Sequence, residues 1–123
     1  MKLEDVVSFV NETVPFPFYA NDFPKSEKED CGFVRIEGGA PPDKYILGLK
    51  SPSIQIVVRH ERGSEAERIA NEVWKLFHGK EHFMIGDSKI YFTSCDQSEP
   101  IHMDKDKNGR TIYSVNVSCK LYE

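Results

Sequence analysis

The chain has 123 residues, a length at which we expect a single hydrophobic core and therefore one domain, residues 1–123. Its 39% hydrophobic and 29% charged residues fit a globular protein and exclude collagen-like and strongly disordered classes. A net charge of −4 disfavours a general nucleic-acid binder, because that affinity depends on cationic side chains that neutralise phosphates.

The N-terminal sequence and the cysteines indicate the compartment. No apolar stretch approaches the roughly 20 residues that cross a bilayer, and the first five residues, MKLED, lack the apolar region of a signal peptide. The three cysteines are widely spaced and form no C-x-x-C, so we expect no disulfide framework. The sequence therefore predicts a protein made and kept in the cytoplasm, without membrane association.

The first third of the chain predicts a helix and then extended structure. Apolar residues at spacings of three and four predict an amphipathic helix over residues 3–13, which Pro15 and Pro17 stop. Residues 16–20 predict a short strand or extended run, and the charged residues 21–30 a solvated loop.

Two strands are predicted next, at residues 32–37 and 53–60, with a long connection between them. The connection contains Gly38-Gly39-Ala40-Pro41-Pro42, a sequence that we expect neither in a helix nor inside a sheet. It therefore spans about residues 38–52. Connections of this length without their own structure are uncommon in compact domains and are often functional.

The second half predicts one helix followed by strands. Ser64-Glu65-Ala66-Glu67 has the pattern of a capping box, which predicts that the helix begins at Ser64, and Gly79 is its predicted stop. Alternating residues then predict strands, the second of them with Ile90 and Phe92 facing the core. The whole order predicts an α+β fold of two helices packed on a mainly antiparallel β-sheet. The predicted strands cover residues 83–85, 89–95, 99–103 and 110–122, with turns at 86–87 and 104–109.

Two patterns could be mistaken for metal sites. Residues 104–109, DKDKNG, resemble the opening of a calcium loop, but the twelfth position is Val115, where a bidentate glutamate is required. His78 and His82 have helical zinc-ligand spacing, but Gly79 between them ends the helix, and neither His60 nor His102 adds a recognisable third ligand. We expect a charged hairpin turn, solvated histidines, and no metal or cofactor.

No motif indicates an enzyme. The sequence has no G-x-S-x-G, no P-loop and no G-x-G-x-x-G. As a nucleophile, Cys31 or Cys95 would need a histidine and a carboxylate that no local signature supplies. Cys119 lies on the apolar face of the last predicted strand and is expected in the core. A small regulatory binding module remains an alternative. So does a hydrolase that uses His102 with Asp96 or Glu99.

Taken together, several segments resemble the minor capsid and tail terminator family of tailed bacteriophages and prophages. The most specific stretches are Gly38-Gly39-Ala40-Pro41-Pro42-Asp43-Lys44 and Asp96-Gln97-Ser98-Glu99-Pro100. The others are residues 3–7, 54–59, 65–77, 85–89, 108–110 and 113–116, so the resemblance covers nearly the whole chain.

The resemblance implies a structural protein without catalytic residues. Such a subunit assembles as a ring, often a hexamer, at the head-proximal end of the tail tube, where it stops tube polymerisation and faces the head connector. The implied partners are other copies of the chain, the tube protein, and a connector or head-completion protein, with DNA only passing through the lumen. The implied location is the virion tail, and the host bacterial cytoplasm during assembly. A head-completion or connector protein is the alternative within the same class.

The predicted connection at 38–52 is the candidate contact with these partners. Its apolar side chains are too many for a loop that is only solvated, so we expect it to be mobile in the monomer and ordered in the assembly. A flap that covers the subunit's own core is the alternative. The candidate interface residues are Gly38, Gly39, Pro41, Pro42, Asp43, Lys44, Tyr45, Ile46, Leu47 and Leu49.

Overall fold

A computed structural model describes residues 1–26 and 29–123 and contains, in that part of the chain, two helices and seven strands. The helices are α1 (Leu3–Thr13) and α2 (Gly63–Phe77). The strands are β1 (Phe18–Ala20), β2 (Cys31–Ala40), β3 (Leu49–His60), β4 (Lys80–Ile85), β5 (Ser88–Cys95), β6 (Ile101–Met103) and β7 (Thr111–Tyr122).

All seven strands belong to one sheet with the order β1-β2-β3-β7-β5-β4, and β6 pairs with β7. β5 occupies the C-terminal half of one side of β7 and β6 the N-terminal end of that same side. Every pairing is antiparallel except that of β1 with β2. This confirms the predicted α+β class, with two helices and a mostly antiparallel sheet.

The main core lies between the two helices and one face of this sheet. α1 contributes Val6 and Val10 to it, and α2 contributes an apolar stripe that includes Ile69, Val73 and Phe77. Since side chains alternate across a strand, the sheet supplies every second residue to this face. Those from the central strands are Ile54, Ile56, Val58, Val115, Val117, Cys119 and Leu121, as the alternation in the sequence predicts.

The opposite face of the sheet is partly covered by the segment that precedes β2, which corrects the prediction of a solvated loop at 21–30. The Phe23 ring packs edge-on against Phe33 at 4.8 Å between ring centres, and the Arg59 guanidinium lies 4.3 Å from the centre of the Phe23 ring. A second, small apolar cluster therefore forms on this face. It explains why Val57, opposite Phe33 in the register, is buried although it breaks the alternation. Glu27 and Lys28 of the predicted loop lie outside the described residues.

Arg59 attaches this segment to the sheet. Its Nε donates to the carbonyl oxygen of Glu29 at 3.0 Å and its Nη2 to that of Ser26 at 2.8 Å. Its Nη1 lies 4.0 Å from Oδ2 of Asp106, which belongs to the turn before β7. Because the Arg59 side chain is only 7% exposed, it joins three parts of the chain within a nearly dry environment.

Asp30 forms a second link between the same segments. Its carboxylate accepts hydrogen bonds from Nε of Arg110 and from the backbone amide of Glu61, both at 2.9 Å, and lies 3.6 Å from Nε2 of His60. Partial burial acts to raise the pKa of Asp30, but the bonds from Glu61 and Arg110 and the nearby His60 outweigh it and lower the pKa.

The connection between β2 and β3 is shorter than predicted, since residues 38–40 and 49–52 belong to strands and only residues 41–48 join them. A register shift between Glu37 and Ala40 accommodates the two glycines as a bulge. Gly39 has φ +70°, and a Cβ atom there would overlap the carbonyl oxygen of Ser51. Glycine at this position therefore continues the strand in a distorted form, where the composition had predicted its end.

Two other local predictions are wrong and one is confirmed. α2 begins one residue early, at Gly63 with Arg62 as its N-cap, and no side chain caps it, so the predicted capping box at Ser64 does not form. A bulge between Ile90 and Phe92 turns Phe92 to the face opposite the helices, while Ile90 stays in the core. Gly79 has φ +70° directly after the end of α2, which confirms it as the predicted stop.

Candidate subunit interface

The loop of residues 41–48 has a defined shape that Asp43 holds. The Asp43 carboxylate accepts hydrogen bonds from the backbone amides of Tyr45 and Ile46, both at 2.8 Å, and these bonds lower its pKa. Its own amide donates to the carbonyl oxygen of Leu49, whose amide donates to that of Ile46. These four bonds close the loop without help from an apolar side chain.

The apolar side chains of this loop are therefore free to point into solvent. Tyr45 is 91% exposed and Leu47 92%, whereas Ile46 is 48% exposed. Neither Tyr45 nor Leu47 covers the subunit's own core, which disagrees with the flap alternative for these two residues. Of the other candidate interface residues, Gly38 and Gly39 lie in β2, Leu49 begins β3, and Pro41, Pro42 and Lys44 are exposed in the loop.

An apolar cavity of about 450 Å³ lies near the loop, on the β4–β5 side of the sheet. Tyr91 and Tyr122 are in edge-to-face contact at 6.2 Å, and His82 packs on Tyr91 at 5.0 Å. Met84, 53% exposed, lines the same cavity. None of these residues was a candidate from the sequence alone. The available signal is that Met84 and Tyr91, both large and apolar, occupy positions that strict alternation with Ile85 and Ile90 assigns to solvent.

The two outer edges of the sheet differ. At β1, the Asn11 side chain accepts a hydrogen bond from the amide of Phe18 at 3.0 Å and donates to its carbonyl oxygen at 3.2 Å, so α1 protects that edge. At β4, within the described residues, the backbone groups that face away from β5 have no hydrogen-bond partner. The edge beside the apolar cavity is therefore the open one.

His102 and Asp96 of the alternative hydrolase do not come together. His102 packs on Tyr113, whose side chain is on the helix-covered face of β7, whereas the Asp96 carboxylate accepts a 2.5 Å hydrogen bond from Ser118 on the opposite face. Burial raises the pKa of Cys95 to about 12 and that of Cys119 to about 11, so neither thiol is a ready nucleophile at neutral pH.

Nothing in the described part of the chain collects metal ligands. Asp106, in the predicted calcium-like sequence, uses Oδ1 to accept the backbone amides of Asn108 and Arg110, each at 2.9 Å. His78 stacks on Trp74 and accepts the amide of Cys95, while His82 lies beyond Gly79 in β4. Within residues 1–26 and 29–123, no group of three or more histidine, cysteine or acidic residues could hold an ion.

Comparisons with known proteins place this arrangement in a family. No curated protein matches the chain closely enough to count as a relative. A solved structure is similar to this chain with 17% sequence identity and a TM-score of 0.48, and the match covers 98% of this chain and 91% of the other chain. These values support no conclusion about function. Among the described residues no helix is long and apolar enough to cross a membrane. The family model described as "Bacteriophage tail terminator protein" matches residues 4–123, so the chain belongs to the bacteriophage tail terminator family.

Proposed function

We propose that this protein is the subunit of a ring that caps the tail tube of a phage or prophage and joins it to the head connector. Membership of the tail terminator family carries the proposal, since this is a family of structural proteins of the virion tail. The loop of residues 41–48 supports it further, because the loop presents Tyr45 and Leu47 to solvent on a backbone that the Asp43 carboxylate bonds internally. Such internal bonds reduce the conformational freedom that an apolar projection loses when it meets a partner.

The partners in this proposal are other copies of the chain, which form a hexameric ring, the tube protein below the ring, and a connector or head-completion protein above it. DNA is not a binding partner and only passes through the lumen of the ring. The net charge of −4 on each subunit fits such a role, because acidic walls repel phosphates and let DNA slide without binding. Assembly takes place in the host cytoplasm, and the protein has no catalytic function.

Deletion of the gene from a phage or prophage tests the proposal. Loss of a terminator leaves tube growth without a stop, so electron microscopy should show tails of irregular excess length beside filled heads without tails. Native protein supplied in trans should restore tails of uniform length, and the Tyr45→Ser/Leu47→Ser variant should not. Tails of normal length beside heads that leak DNA would instead indicate the head-completion alternative.

A further inference from the structure

We infer that the loop of one subunit binds in the apolar cavity of the next, so that Tyr45 and Leu47 of one copy contact Met84, Tyr91 and Tyr122 of its neighbour. This inference rests on the proposed ring, for which it identifies the contact between subunits. It combines two features that are both incomplete in a single chain: a projecting apolar loop and an unfilled apolar cavity beside an open strand edge.

The two features lie on opposite sides of the C-terminal end of β7. The loop leads into Leu49 of β3, which pairs with Tyr122, while Lys89 of β5 pairs with Tyr122 from the other side and with Met84 of β4. Three strand spacings of about 4.8 Å separate β3 from β4, which is roughly 14 Å. One subunit can therefore offer its loop to one neighbour and its cavity to another.

The exposed apolar area suits an interface between two copies. Aromatic side chains bury about 150–250 Å² each, so the partly exposed Tyr45, Tyr91 and Tyr122 together present an area on the order of several hundred Å². Ile46, Leu47 and Met84 extend this area, and loop and cavity together still fall below the roughly 1,600 Å² that two partners bury in total in an interface of standard size, so the contact is a weak one. Patches of this size on a monomer are often functional.

Few charged groups lie at this contact, and the side chains of Lys44 and Lys89 are long enough to keep their ammonium groups in water. Residues 45–47 carry no charge, and the only carboxylate of the loop, Asp43, is already bonded to two amides of the same loop. Of the residues that line the cavity, Lys89 is the only one with a permanent charge. Desolvation of the two surfaces therefore costs little, because burial is expensive only for polar groups that lose their partners.

The symmetry of this contact fits a ring. A contact between unlike surfaces repeats from copy to copy and closes into a ring when the rotation allows it, whereas a contact between identical surfaces stops at a dimer. The occupant to which the inference commits is a second copy of this chain. Binding of the cavity to the tube protein is the competing outcome.

Two complementary variants test the inference by sedimentation velocity. Tyr45→Ser/Leu47→Ser removes the loop anchors and keeps the cavity, whereas Met84→Ser/Tyr91→Ser alters the cavity and keeps the loop. Each should be monomeric at concentrations where the native protein forms oligomers, since truncated interface anchors weaken binding about tenfold or more each. Mixed in equal amounts, they retain one intact loop and one intact cavity, so they should form a heterodimer that grows no further.

The control is Ile101→Ser/Met103→Ser, which replaces two comparably exposed apolar residues on β6, at the other end of the sheet. It should form oligomers like the native protein, and all variants should melt close to it. If a serine variant fails to fold, crosslinking replaces it as the test. Leu47→Cys in one chain and Met84→Cys in another should allow a bismaleimide to link the two chains to each other. Cys31 and Cys119 are buried, and burial raises the pKa of Cys95 to about 12, so the native thiols should react little.

Three results would overturn the inference: oligomers in either serine variant like those of the native protein, a mixture that stays monomeric, or a native protein that is monomeric up to millimolar concentration. Each of these leaves the proposed function intact if the native gene still restores tail length in the deletion strain. Tails that are normal without the gene would instead refute the proposed function, but they would not contradict the loop–cavity contact between subunits in solution.

Discussion

At the scale of single residues, Arg59 connects more of the molecule than any motif in the sequence suggests. Its guanidinium bonds to two carbonyl oxygens of the segment before β2, covers the Phe23 ring and faces Asp106. In the sequence, Arg59 is a polar residue next to the apolar Val58, and alternation along a strand assigns it to the face away from the helices. That assignment to a face was correct, but a buried cation is recognisable only when the covering segment is placed over it.

We predict that Arg59→Met lowers the free energy of unfolding by about 2–4 kcal/mol, because it leaves the Asp106 carboxylate nearly buried without its cation and frees the covering segment. Urea titration followed by tryptophan fluorescence measures this loss. Arg68→Met is the matched control: Arg68 is 53% exposed and pairs with Glu65 and Glu72 on the surface of α2, so we expect a loss of about 0.5 kcal/mol or less. Equal losses in the two variants would contradict the role given to Arg59.

Asp30 supplies a pH-dependent part of the stability. Its pKa is lowered in the folded state, so the carboxylate contributes stability above its unfolded pKa, near 4, and loses it as the pH falls through the folded pKa. We therefore predict that Asp30→Asn is less stable than the native protein at pH 7, and that the difference shrinks at pH 3. A difference that is the same at both pH values would show that ionisation of Asp30 is not involved.

At the scale of elements, the bulge in β2 explains why the connection was predicted too long. Glycine and proline usually end strands, and the rule failed because Gly39 adopts a left-handed conformation within a paired strand. The helices and the central strands were predicted well, because their apolar periodicity reflects burial against one face. The orientation of Phe92 and the position of the covering segment were predicted wrongly, because a bulge and a long-range contact leave no periodic signal in the sequence.

We predict that Gly39→Ala is destabilising by about 1–2 kcal/mol or more, because its φ of +70° is unfavourable for alanine and the added Cβ meets the Ser51 carbonyl oxygen. Gly38→Ala is a control one residue away, since a Cβ there has no atom within 4 Å. Its melting temperature should equal or slightly exceed that of the native protein. Thermal melts of both variants followed by circular dichroism provide the comparison, and equal destabilisation would contradict a strained bulge at Gly39.

At the scale of the whole molecule, the two ends of the sheet have different chemistry. Near Arg59 and Asp30, charged side chains and the covering segment complete the fold from within the chain. At the other end, Tyr45, Leu47 and Met84 remain exposed and the β4 edge has no partner among the described residues. The candidate loop could be predicted from its apolar composition, but the cavity could not, because it forms where the β4–β5 hairpin meets Tyr122 of β7, which is distant in sequence.

We predict that the isolated protein is a monomer or a weak oligomer at micromolar concentration and forms rings only when it is concentrated or placed on tail tubes. A terminator that closed into stable rings early could not be recruited after the tube had reached its length. Contacts of modest area give weak association, and a tube end that binds several subunits at once raises their effective concentration at the site of assembly. Sedimentation velocity across a concentration series, with and without purified tubes, measures both effects. A hexamer that persists at nanomolar concentration without tubes would contradict recruitment by the tube.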